Sequence, residues 1–354
     1  MKSMASCVFV TFVSSWLFTS VAKAQAPASC APAGGLNFIC GVQNPEDLVP
    51  IPNSRWLFAS GMADGSGLHL IDTTTKRLST LYGGGQGTAR ADRTRFPNCP
   101  APLDSKLAHL HGLSIRPAPQ GHYTLYATNH GGRESIEVFD VVATATPTAT
   151  WIGCVLMPDK LPANSVAAFK DGTIVATVLI TPDKTFEDAF AGKITGAVYQ
   201  WTPGSSAFRK LAGTELSANN GIETSDDDRA FFVASTTTKR VLEFSRADPS
   251  KPLRVAQLKE FGPDNIRLIG GRLITAGMID NEPACGGAPK TADGIRCSRG
   301  YIVDAIDPKT MAVTEIARGP ATPAFTGTAT AIPIGNELWL GSFNSDRVAY
   351  RIFR

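Results

Sequence analysis

The sequence has 354 residues, 34 Lys and Arg against 31 Asp and Glu, a formal net charge of +3, and 43% hydrophobic residues. So even a charge balance gives no reason to expect nucleic acid or an anionic membrane as partner. The scarce, chemistry-bearing residues are seven cysteines and five histidines.

Met1 to Ala24 reads as a secretory signal. Lys2 precedes an apolar run too short for a membrane span, and Ala22-Lys23-Ala24 has the small-x-small form of a cleavage site. No second run approaches spanning length, so the mature chain, residues 25–354, is expected as one exported domain, periplasmic or secreted. Loss of Lys2 and Lys23 lowers its formal charge to about +1. Loss of Cys7 leaves six cysteines, an even number that favours disulfides in an exported chain. Six cysteines permit 15 pairings; sequence neighbours suggest Cys30 with Cys40 and Cys285 with Cys297, leaving Cys99 with Cys154. None has zinc-ligand spacing, and the absence of any N-x-S/T acceptor fits a bacterial exported protein.

Helical periodicity is confined to "TFEDAFAGK"; elsewhere short β-rich runs alternate with Gly, Pro, Asn and Asp turns. One kind of run recurs six times: "WLFASG", "YTLYATN", "TIVATVL", "AFFVAS", "RLITAG" and "ELWLGS". Each follows a shorter run and precedes an alternating strand, at intervals of roughly 40 to 70 residues, the period of a propeller blade. The expected fold is all-β, a six-bladed β-propeller.

Just before the first strand of each repeat stands a polar residue: Glu46-Asp47, His111, Asn164, Asn220, Asp264-Asn265 and Thr328. The innermost strand of every blade lines the central channel, so residues at one register form a ring around the axis. Asn and Asp before a strand are commonly turn residues. The same register in repeat after repeat is more than turn chemistry. Carboxylates and amides crowded into one volume raise one another's pKa values and leave costly unpaired groups. A hard cation resolves both, and an all-oxygen shell with many protein ligands favours Ca²⁺.

With these residues in view, the chain resembles the paraoxonase/arylesterase family and, more distantly, the gluconolactonase and senescence-marker propellers. The matching stretches are "PEDLVPIPN", "HGLSI", "ATNHGGRESIEVFDV", "LPANSVAAF", "ANNGIETSDD" and "DNIRLIGGRLITAG", in family order over most of the mature chain. The resemblance implies a catalytic Ca²⁺ held by Glu46, Asn164, Asn220, Asp264 and Asn265. It implies a histidine pair, His111 facing the metal and His130 behind it. Four of the five histidines lie between Lys106 and His130; His109 and His122 match no family role and are expected in loops or on the surface.

Two positions depart from the family. A second, structural Ca²⁺ is implied at Asp47, the Leu113 carbonyl and an acid, but Ser165 stands where that acid belongs. The acid expected to orient the second histidine falls near Leu179, which cannot do so.

The resemblance and the ring together imply a Ca²⁺-dependent hydrolase of small lactones and aryl esters. Calcium would polarise the carbonyl and His111 would activate water. No G-x-S-x-G elbow points to an acyl-enzyme. A gluconolactonase-like enzyme with a carboxylate base and a non-enzymatic calcium-stabilised propeller are the alternatives. Nothing in the sequence calls for a protein partner. The loops "LYGGGQGTARADRTRFPNCP" and "DNEPACGGAPKTADGIRCSRG" are expected over the channel mouth.

Overall fold

The computed structural model describes residues 29–353; the expected signal at residues 1–24 lies outside them. Six antiparallel sheets radiate from one axis. Their innermost strands are Leu48–Pro50, Leu110–Pro117, Ala163–Ala168, Asn219–Thr224, Ile266–Ile269 and Thr328–Ile334. Their second strands are Trp56–Gly61, His122–Asn129, Ile174–Val178, Ala230–Ser235, Arg272–Met278 and Glu337–Ser342. These are the six recurring runs of the sequence. They are buried along nearly their whole length because both faces of each sheet are covered by neighbouring blades. Phe58, Phe139, Phe231, Phe244, Trp151 and Trp339 are fully buried between blades, each worth about 1.5–3 kcal/mol.

The sixth blade is completed from the other end of the chain. Asn37–Cys40 pairs antiparallel with Arg347–Ile352, with Phe38 opposite Ala349, and so closes the ring of blades. The Cys30–Cys40 disulfide secures that strand, and Cys99–Cys154 and Cys285–Cys297 also form, as the sequence predicts. Three disulfides are the pattern of a chain that folds in an oxidising compartment. No helix among the described residues is long and apolar enough to cross a membrane.

Among the described residues one α-helix forms, Phe186–Phe190, inside the stretch read as helical. Thr185 caps it in a reciprocal capping box with Asp188. The Gly- and Arg-rich segment 81–100 does not reach the channel mouth as expected. Its Thr88–Ala89 adds a parallel strand to the outer edge of blade two, and Phe96 and Cys99 are buried in the core. The Cys99–Cys154 bond holds it on that blade.

Candidate functional site

The innermost strands are irregular at the positions the sequence singles out. In blade two the ladder steps from Leu110↔Asn129 to Leu113↔Ala127, so His111 and Gly112 together oppose Thr128. Blades three and four bulge in the same way at Asn164-Ser165 and Asn220-Gly221. A bulge re-aims a side chain that regular pleating would send into the sheet, and here it sends His111, Asn164 and Asn220 to the axis. Gly112 is required by the close approach of the next blade, since a Cβ there would sit 2.6 Å from Ser165 Cα. Hydroxyls on the second strands fasten the bulges: Thr128 Oγ1 donates to the Asn164 carbonyl (3.2 Å) and Thr177 Oγ1 to the Asn220 carbonyl (2.6 Å).

Glu46, His111, Asn164, Asn220, Asp264 and Thr328 line the floor of one cavity of about 400 Å³. Three oxygens on that floor are buried without a hydrogen-bond partner: Glu46 Oε2, Asn164 Oδ1 and Asn220 Oδ1. Burial, reinforced by Asp47, pushes the Glu46 carboxyl well above its ordinary range. Burial, reinforced by Glu46, does the same to Asp264. Among the described residues no three His, Cys, Asp or Glu side chains cluster as metal ligands; the floor combines two carboxylates with amide oxygens. Orphaned oxygens, two carboxylates short of positive charge and no thiolate make a donor set that fits a hard divalent cation and not zinc.

The other two expected ligands lie one step further along the strands. Asn265 Nδ2 donates to Glu46 Oε1 at 2.6 Å, so Asn265 orients Glu46 and does not line the cavity. Asp47 has no oxygen to spare. Oδ1 accepts from the Leu48 amide (2.8 Å) and Thr330 Oγ1 (2.9 Å), and Oδ2 from the Leu113 amide (2.7 Å) and the Arg267 guanidinium. In this arrangement Asp47, expected as a metal ligand, is paired with Arg267.

The histidines form a chain. His111 Nε2 lies 3.5 Å from Glu46 Oε2, and its Nδ1 is 3.1 Å from His130 Nε2. His130 Nδ1 is 2.8 Å from Glu134 Oε2. A carboxylate only accepts, so His130 carries its proton on Nδ1 and donates it in a hydrogen bond to Glu134. His130 Nε2 then accepts from His111 Nδ1, which leaves the lone pair of His111 Nε2 facing the floor. Burial lowers His111 to about 4, so its imidazole is neutral at pH 7. Glu134 is the acid that Leu179 cannot be; Leu179 lines the apolar wall instead. The signal was present as the fourth residue after His130 in "HGGRE". His109, expected to be peripheral, packs edge-on against His130 (5.3 Å) and pairs with Asp64 (3.0 Å). His122 pairs with Asp140 away from the axis.

Above the floor the wall is mostly apolar, with Met62, Leu179, Phe186, Phe190, Met278 and Phe343, and its charged members Lys239 and Asp280 pair with each other at 2.6 Å. The second expected mouth loop does reach it, through Ala288, Pro289 and Ile295. Arg299, itself buried, pins that loop by donating to the carbonyls of Asp280 (2.5 Å) and Gly287 (2.8 Å).

No protein-family model matches the sequence, and no curated protein matches it. Among solved structures the chain is similar to a luciferin-regenerating enzyme, with a TM-score of 0.52 and 13% identity over 90% of this chain and 96% of the other. It is equally similar to a gluconolactonase from Xanthomonas campestris, with a TM-score of 0.52 and 15% identity over 90% and 89% of the two chains. What they share is the propeller fold.

Proposed function

We propose that this propeller hydrolyses lactones and esters that carry an apolar acyl portion, in the manner of the paraoxonase-like hydrolases that its motifs resemble. The observation that carries the reading is the cavity floor, where three partnerless oxygens and the free Nε2 of a neutral histidine face one volume. Glu46, Asn164, Asn220 and Asp264 would hold a calcium ion, which when bound supplies Lewis-acid polarisation of the substrate carbonyl. His111 Nε2 accepts a proton from the water that adds to the carbonyl carbon. His130 and Glu134 keep the His111 lone pair on the cavity side and spread the positive charge that develops on the imidazole. The same proton returns to the departing alkoxide as the acyl–oxygen bond breaks.

The likeness in fold to a gluconolactonase supports a sugar-lactone enzyme as the second reading. Against it stands the mostly apolar wall, whose charged groups Lys239 and Asp280 already pair with each other. The disulfides and the expected signal support an exported enzyme acting on small molecules outside the cytoplasm.

The test is turnover of an aliphatic γ- or δ-lactone, an acyl-homoserine lactone, gluconolactone and phenyl acetate, each with calcium and with chelator. Turnover of the hydrophobic lactones, lost in chelator and restored by calcium, is expected. Turnover of gluconolactone alone would move the chain to the second reading. No turnover of any, with calcium still bound, would make it a binding propeller.

A further inference from the structure

Arg267 is almost fully buried on the axis, where a guanidinium is costly unless every donor finds an acceptor. One terminal nitrogen, Nη2, donates to Asp47 Oδ2 and to the Leu113 carbonyl (2.8 Å). Nη1 donates to the Ile266 carbonyl (2.6 Å), and Nε to the Leu48 carbonyl (3.3 Å). These acceptors belong to blades one, two and five, so a single side chain ties three blades together at the centre. A carboxylate and carbonyls converging from separate segments are also the donor set of a hard cation.

Asp47 and the Leu113 carbonyl are the groups that the paraoxonase resemblance assigns to a second, structural calcium. The residues present do not fit that ion. The guanidinium occupies the carboxylate and the carbonyl, and Ser165 supplies no charge; its Oγ turns to Asn265 Oδ1 at 3.5 Å. Charge balance agrees. Glu46, Asp47 and Asp264 against Arg267 leave two negative charges on the axis, enough for one divalent ion and not for two.

We infer that Arg267 is a built-in replacement for a structural cation, so that no divalent ion binds at Asp47 and the blades are joined there without metal. This does not depend on the catalytic reading, because the guanidinium and the cavity floor are separate layers.

The test uses the mature chain and compares wild type with Arg267→Ala, which leaves Asp47 buried with space beside it. Bound calcium per chain is counted by elemental analysis after dialysis, and thermal unfolding is followed with calcium and with chelator. Wild type is expected to bind at most one ion. Arg267→Ala is expected to unfold at least about 6 °C lower in chelator, to bind one ion more than wild type, and to recover stability when calcium returns. Two ions on the wild type overturn the inference, as does a variant that neither loses stability nor gains an ion. If Arg267→Ala does not fold, the double variant Asp47→Asn/Arg267→Met removes both charges at similar volume. It is expected to fold and to match the wild-type ion count; an extra ion, or failure to fold, overturns the inference. A wild-type count of zero would refute the calcium proposed for the floor while supporting the inference at Asp47.

Discussion

Glu46 and Asp47 are chain neighbours and both are buried, yet Glu46 keeps an oxygen with no donor while all the partners of Asp47 come from the protein. The difference lies in what faces them. Asp47 looks into a closed layer where Arg267 brings a full positive charge. Glu46 looks into a cavity shared with Asp264, where burial raises both carboxyls, reinforced by Asp47 for Glu46 and by Glu46 for Asp264. One layer is closed by its own side chains; the other turns oxygens without partners toward the cavity.

Paired variants can break that distinction. Asp264→Asn removes a carboxyl whose folded pKa lies above its unfolded value, a shift that costs stability at neutral pH when no cation is bound. In chelator this variant is expected to unfold at a higher temperature than wild type. With calcium its gain on binding shrinks, and hydrolysis falls by more than about 100-fold. Asp47→Asn strands the buried Arg267 and is expected to destabilise by about 3 kcal/mol with or without calcium. Melting curves that move the same way in chelator for both variants would erase the contrast between the layers.

The histidines repeat the lesson away from the axis. Burial lowers both His111 and His69 to about 4, but both ring nitrogens of His69 meet hydroxyls, Ser66 Oγ and Thr80 Oγ1, each at 3.2 Å. His111 presents Nε2 to the cavity floor. A shifted pKa marks burial; only the open nitrogen marks chemistry. For His69 the folded value lies below the ordinary 6.5, so the unfolded chain binds more protons between those values. Its contribution is present above pH 6.5 and is lost as pH falls toward 4, up to about 3 kcal/mol. His69→Gln, neutral throughout, is expected to flatten denaturant stability over that window relative to wild type. Parallel curves would show that His69 is protonated in the fold without penalty.

Much of this was legible in the sequence because propeller blades repeat. The six recurring runs are the second strands, and one polar residue at or just before the start of each first strand (Glu46, His111, Asn164, Asn220, Asp264 and Thr328) lines one cavity floor, while Asp47 and Asn265 do not. What escaped has physical reasons. "NFIC" is too short to show alternation, and its partner strand lies at the far end of the chain. Arg267 sits between Ile266 and Leu268 like any outward polar residue of an alternating strand, but in an innermost strand the polar face looks onto the axis and not into water. The segment 81–100 has no period of its own, and the clue to its place was the bond from Cys99 to Cys154. Glu134 follows a Gly-Gly turn whose path is set only by tertiary contacts.

Glu134 gives the smallest effect and the finest test of the cavity layer, because it does not line the cavity and its side-chain hydrogen bond is to His130. Its carboxylate is partly exposed, so water can take over some of its role, and the expected loss is about 10-fold in kcat, roughly 1.4 kcal/mol. Glu134→Gln keeps the shape but can present an amide N–H to His130 Nδ1, which favours the other tautomer and turns His130 Nε2 into a donor. His111 Nδ1 would then have to accept, placing the remaining proton on Nε2, where a base needs a lone pair. The expected pattern is a lower kcat with KM within about twofold, an unchanged melting temperature, and ¹⁵N shifts showing changed tautomers at both histidines. Glu134→Asp should restore part of the rate. A lower kcat with unaltered histidine shifts would mean that Glu134 supports the loop and not the proton relay.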